Sequence, residues 1–129
     1  MLYKQYKYKF YLNLNHYVEM NGTKGEMHSH TWEIAMGIGV RDQEFVRFSD
    51  IETYINEMLG KYQDKCINDI PPFNRVTPTL ENVCNYLYEL ISQGLQKKGW
   101  LLYIMEMSET PSRVYQVSGL RPAEDYTFM

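Results

Sequence analysis

The sequence predicts an α+β fold: a ββααββ antiparallel sheet with two helices on one face. Three observations lead there. Apolar and polar residues alternate up to His16 and again from His28, two central stretches carry apolar residues at helical intervals, and two further strand-like runs close the chain.

Taken in order, Tyr8, Phe10, Leu12, Leu14 and His16 occupy even positions while Lys9, Tyr11, Asn13 and Asn15 fill the odd ones, which is the period of a half-buried strand. His16 ends its apolar face. The polar stretch "YVEMNGTKGEM" follows, with turn chemistry at Asn21-Gly22 and Lys24-Gly25. His28, His30, Trp32, Ile34, Met36, Ile38 and Val40 then share one face of a second strand, so both histidines of "HSH" point to the apolar side.

The first helix is expected over "SDIETYINEMLGKYQ", with Ser49 and Glu52 in capping-box spacing and Ile51, Tyr54, Ile55, Met58, Leu59 and Tyr62 facing inward. "CINDIPPFNRV" reads as a loop fixed by Pro71 and Pro72. The second helix is expected to take Thr77 as its N-cap and Pro78 as its first residue, burying Leu80, Val83, Cys84, Leu87, Ile91 and Leu95. Two strands, "GWLLYIMEM" and "RVYQVSG", joined by "SETPS", complete the order.

Composition narrows the function. With 129 residues, 44% of them hydrophobic, the chain suits one domain spanning residues 1–129. No apolar run is long enough to span a bilayer, and the N-terminal stretch lacks the apolar block and small-residue cleavage site of a secretory signal. A cytoplasmic protein is expected. Cys66 and Cys84 have no metal-type spacing and read as reduced thiols. The net charge of −3, with no basic cluster beyond "YKQYKYK", argues against a nucleic-acid partner and leaves a small-molecule ligand as the expectation.

An H-x-H pair on an apolar strand face equally suits two hydrogen-bonded histidines. His16 favours the metal reading. A strand ending in histidine, an eleven-residue connection and a strand beginning H-x-H bring His16, His28 and His30 to one end of an antiparallel pair. Three imidazoles with an open fourth position are the ligand set of catalytic zinc, and the open position suits a water or a substrate oxygen. Glu106 follows Trp100, Leu102 and Ile104 at alternate positions of the third long strand, where a bare carboxylate is costly without a partner. It is therefore either a ligand-binding carboxylate or one exposed at the strand's end.

The histidine triplet, the element order and "NDIPPFNRVTPTLENV" together resemble the 6-pyruvoyltetrahydropterin and 6-carboxytetrahydropterin synthase family, whose subunits adopt the tunnelling fold, or T-fold. The resemblance covers nearly the whole chain. It implies Zn2+ on His16, His28 and His30, a pterin held by Glu106, rearrangement of a dihydroneopterin triphosphate-like substrate with loss of triphosphate, and barrels stacked as a homohexamer of two trimers.

The chain departs from that pattern at the proton relay. The family's usual catalytic cysteine position, four before His28, holds Lys24, and the catalytic Asp-His pair falls on Gln63 and Asp64, or on Asp64 and Lys65 after a one-residue shift. Neither register supplies the histidine. Some family members use a glutamate shortly before the H-G-H as base, which makes Glu26 a candidate, with Lys24 and Asp64 as further ones. Lys24, Arg75 and Arg113 are phosphate-binding candidates on charge alone.

Two other readings stay open. One is a non-catalytic zinc-bearing pterin or purine binder. The other is a cupin-type metal protein, in which Glu33 would be the fourth ligand, although Glu33 follows His30 by three and points to the opposite face of an unbroken strand.

Overall fold

The computed structural model describes residues 4–40 and 46–119. Its elements are β1 (Tyr6–His16), β2 (Glu19–Met20), β3 (Thr23–Lys24), β4 (His28–Val40), α1 (Phe48–Leu59), β5 (Lys65–Cys66), α2 (Leu80–Lys97), β6 (Trp100–Thr110) and β7 (Arg113–Ser118), with a 3-10 turn at Ile67–Asp69 between β5 and α2. The α+β sheet with two helices is as expected, but it is mixed rather than wholly antiparallel.

The sheet runs β5-β1-β4-β6-β7, and β5 pairs parallel with β1 at Leu14 and Asn15. This short strand lies at the start of the segment expected to be loop. Just ahead of it, the Gln63 side chain accepts from the Asn13 amide at 2.9 Å and donates to the Tyr11 carbonyl at 2.7 Å. The Asp64 amide then donates to the Asn13 carbonyl at 2.7 Å, with Asp64 at a φ of 60°. Side-chain and main-chain groups thus satisfy this edge of β1 before regular pairing begins.

Period-2 alternation places the core. Tyr8, Phe10, Leu12 and Leu14 of β1, with Trp32, Ile34, Met36 and Ile38 of β4, are all buried, and Ile51, Ile55 and Leu59 of α1 and Val83, Leu87 and Ile91 of α2 join the same cluster. At Gly94 of α2 an added Cβ would stand 2.6 Å from Met58 Cε, and the Tyr54 hydroxyl donates to the Gly94 carbonyl at 3.2 Å. A glycine there lets α1 side chains reach the α2 backbone. Among the described residues, no helix is long and apolar enough to cross a membrane.

Both helix starts differ from expectation. α1 begins at Phe48 with Arg47 as N-cap and no side-chain cap, rather than at a Ser49–Glu52 box. Phe48 packs on Tyr6 and Tyr8, with ring centroids at 4.9 and 5.5 Å, and its carbonyl accepts from the Tyr8 hydroxyl at 3.1 Å. α2 begins two residues later than Thr77-Pro78 predicts. Thr79 is its N-cap, with Oγ1 accepting from the Asn82 amide at 3.1 Å, while the Asn82 side chain donates back to the Thr77 carbonyl at 2.9 Å.

β6 carries two bulges. The pairing with β4 slips between Gly37/Ile104 and Ile38/Leu102, leaving Tyr103 as the extra residue, and the pairing with β7 slips between Ser108/Val114 and Thr110/Arg113, leaving Glu109 extra. Glycine accommodates the first, since a Cβ on Gly39 would lie 2.4 Å from the Tyr103 ring. β6 also extends to Thr110, so the link to β7 is only Pro111-Ser112 rather than "SETPS".

Candidate metal and ligand site

The strand register builds the site. β1 and β4 pair throughout with His16 opposite His28 and Leu14 opposite His30, which brings the three imidazoles to one end of the helix-covered face. The apolar stripe of both strands turns polar here. The eleven-residue connection is itself partly a hairpin, β2 with β3, around an Asn21-Gly22 turn whose φ values are 53° and 78°.

The three histidines are not equivalent. His16 is buried, His30 half-buried and His28 exposed. The ring centroids of His16 and His30 lie 4.7 Å apart at 82°, while those of His28 and His30 are 5.8 Å apart. His16 Nδ1 donates to the Pro78 carbonyl at 2.8 Å, which leaves Nε2 as the ring's open donor atom. Burial lowers the His16 pKa, with His30 and His28 adding to this, while the Pro78 hydrogen bond and the Glu109 carboxylate partly oppose it. The ring is thus kept neutral, the form that binds metal.

The late start of α2 explains this arrangement. Had the helix begun at Pro78, its carbonyl would have accepted the Asn82 amide in the helical ladder. Thr79 Oγ1 takes that amide instead, and the Pro78 carbonyl stays free for His16.

A carboxylate completes the cluster, and it is Glu109 rather than Glu106. His16, His30 and Glu109 each present a ligand atom within 4.8 Å of the others. Glu109 Oε1 accepts from the Trp32 indole N–H at 3.1 Å. The bulge at Tyr103 explains the exchange. It shifts the inward positions of β6 from Leu102 to Met105 and Met107, which are buried, and leaves Ile104 and Glu106 on the other face. Glu106 pairs with Ala35 and Gln116, half-buried, away from the histidines. The expectation that Glu106 shares the face of Leu102 is therefore corrected, and Glu109, which the sequence places in a turn, reaches the site.

The other candidates lie apart from this cluster. Lys24, on exposed β3, sits with Nζ 4.2 Å from the centre of the Tyr17 ring. Glu26 is exposed and precedes β4, which begins at His28, so the strand does not carry Glu26 onto the histidine face. Asp64 is exposed beside a cleft of about 300 Å³ that it shares with Asn13, Asn15, Ser29, Thr31 and His30. Arg75 lines a small pocket with Tyr17, Asn68 and Pro78, whereas Arg113 is exposed at the start of β7. Glu33 pairs with Lys9 at 3.5 Å on the face opposite the histidines, against a ligand role there. Cys84 is buried in the core, and burial pushes its thiol up to about 12.

The family model for 6-pyruvoyl tetrahydropterin synthase matches residues 5–119. No curated protein sequence matches the chain. Among solved structures, the 6-pyruvoyl tetrahydropterin synthase of Caenorhabditis elegans superposes with a TM-score of 0.68 at 14% identity, over 91% of this chain and 96% of that one. An uncharacterised protein of Wolinella succinogenes, WS1659, gives 0.70 at 14% identity, over 93% and 100%. A Plasmodium vivax 6-pyruvoyltetrahydropterin synthase, solved as a variant of a catalytic glutamate, gives 0.56 at 14% identity, over 88% and 97%. At such identities these likenesses are of fold.

Proposed function

The chain belongs to the 6-pyruvoyl tetrahydropterin synthase family, and from that premise we propose that it binds zinc through His16, His28 and His30 and a pterin-like heterocycle through Glu109. The observation that carries this reading is the convergence of His16, His30 and Glu109, with His16 neutral and oriented by the Pro78 carbonyl. Neutral imidazole nitrogens suit zinc, and the carboxylate beside them is placed to meet a ligand held next to the metal. When bound, zinc supplies Lewis-acid polarisation of a substrate oxygen.

The protein's own groups do the rest. A carboxylate matches a heterocycle edge that presents neighbouring N–H donors, the role that the family resemblance implied for Glu106. The substrate proposed is dihydroneopterin triphosphate or a close relative, rearranged with loss of triphosphate. Proton removal needs a base, and Glu26 is the first choice, since the Plasmodium vivax relative has a catalytic glutamate. Lys24 and Asp64 follow it. The open strand edges fit a homohexamer of two stacked trimers.

The test joins metal analysis to turnover. Purified protein should carry close to one zinc per chain, and dihydroneopterin triphosphate should be consumed slowly, with Glu26→Gln abolishing the residual rate. Zinc-free protein with unimpaired pterin binding would defeat the metal assignment. Turnover indifferent to Glu26→Gln would transfer the base role to Lys24 or Asp64.

A further inference from the structure

Trp32 is the largest fully buried side chain among the described residues, and it neighbours His16, His30 and Glu109. Its ring stands perpendicular to His16 with centroids 5.2 Å apart, lies 26° from the plane of His30 at 6.1 Å, and donates its N–H to Glu109 Oε1. We propose that Trp32 is a positioning residue for ligand recognition: its indole N–H holds the Glu109 carboxylate in the orientation that receives the heterocycle's donor edge. The proposal rests on the pterin reading above and deepens it.

Three points support it. First, a buried indole N–H left unpaired is costly, and Glu109 is the acceptor it uses, so the two groups constrain each other. Second, Glu109 needs an anchor. It is an exposed bulge residue, and a free glutamate there would sample several rotamers. Third, the contact engages one oxygen, which restrains the carboxylate and leaves the other oxygen for the ligand. A phenyl ring could fill the same space between the imidazoles without supplying the hydrogen bond.

Trp32→Phe tests this by separating the wall from the donor. A tryptophan needed only as packing would disturb the imidazoles and the carboxylate together. A positioning donor should instead weaken neopterin binding by about tenfold, the scale of one hydrogen bond to a charged group, while zinc affinity measured by chelator competition stays within about twofold. The chain has two tryptophans, so in Glu109→Gln protein the Trp32 indole N–H resonance should move upfield and that of Trp100 should stay. Parallel loss of zinc and neopterin, loss of zinc alone, or unchanged neopterin affinity would overturn the proposal. So would a Trp32 resonance indifferent to Glu109→Gln, a measurement that decides the matter if Trp32→Phe does not fold. Intact protein that binds zinc but no neopterin would end the pterin reading and this inference with it, an outcome distinct from a defect confined to Trp32→Phe.

Discussion

Leu12 and His16 lie on the same strand and the same face, four residues apart, yet they belong to different kinds of structure. Leu12 is fully buried in the helix-covered core, where its environment asks only for apolar volume. His16 is almost as buried, but a carbonyl, a second imidazole and a tryptophan ring surround it, and each fixes its orientation. The pleat is continuous between them. What changes is the covering element: helix packing over one end, the free carbonyl of Pro78 over the other.

The comparison is broken most severely from the apolar side. Leu12→Ala should cost about 2 to 5 kcal/mol of stability, read from chemical denaturation, with zinc content per folded chain unchanged. Zinc lost in proportion to stability would mean that the two ends are one cooperative unit.

His16→Ala should do the reverse. It should remove most of the zinc by metal analysis, while leaving the Pro78 carbonyl unpaired costs the metal-free fold only about 1 to 3 kcal/mol. Full zinc retention would show that His16 is not a ligand.

Glu109→Ala and Glu106→Ala sharpen the same contrast within β6. The first should weaken neopterin binding by at least about tenfold, as loss of a charged hydrogen-bond acceptor does, and the second should leave it unchanged. The opposite ranking, by fluorescence titration, would mean that the face exchange at Tyr103 does not govern recognition.

Acid gives the smallest effect. The His16 pKa lies below its ordinary 6.5, so the unfolded chain takes up the proton first. Stability of the metal-free protein should therefore fall as pH drops from about 6.5 to the folded-state pKa, and the His16 contribution should be flat above about 6.5. In His16→Gln this part of the slope should vanish from pH-dependent melting.

Much of this was legible in the sequence, because alternation and helical spacing report burial directly. The long strands, the bodies of both helices and the common end of His16, His28 and His30 follow from parity alone. Parity also misled, at Glu106. Counting by twos fails across a bulge, and nothing in "WLLYIMEMSET" marks Tyr103 as the extra residue; only Gly39 on the facing strand makes room for it. The start of α2 failed for a different reason. Thr77-Pro78 and Thr79 are both acceptable beginnings, and the later one goes with a contact that local sequence does not report, His16 on the Pro78 carbonyl 62 residues away. β5 was missed because two residues carry no periodicity.

The Gln63 amide acts as a stopper on the β1 edge. With the Tyr11 carbonyl and both main-chain groups of Asn13 occupied, and β5 seated beside Leu14 and Asn15, the half of the strand leading to His16 has no room for another strand. Among the described residues, the outward groups left on this edge belong to the half that carries Lys7 and Lys9. A neighbouring strand that extends the sheet here would pair with that half, displaced from the histidines. Sheet growth along this edge is thereby kept away from the His16 end of β1.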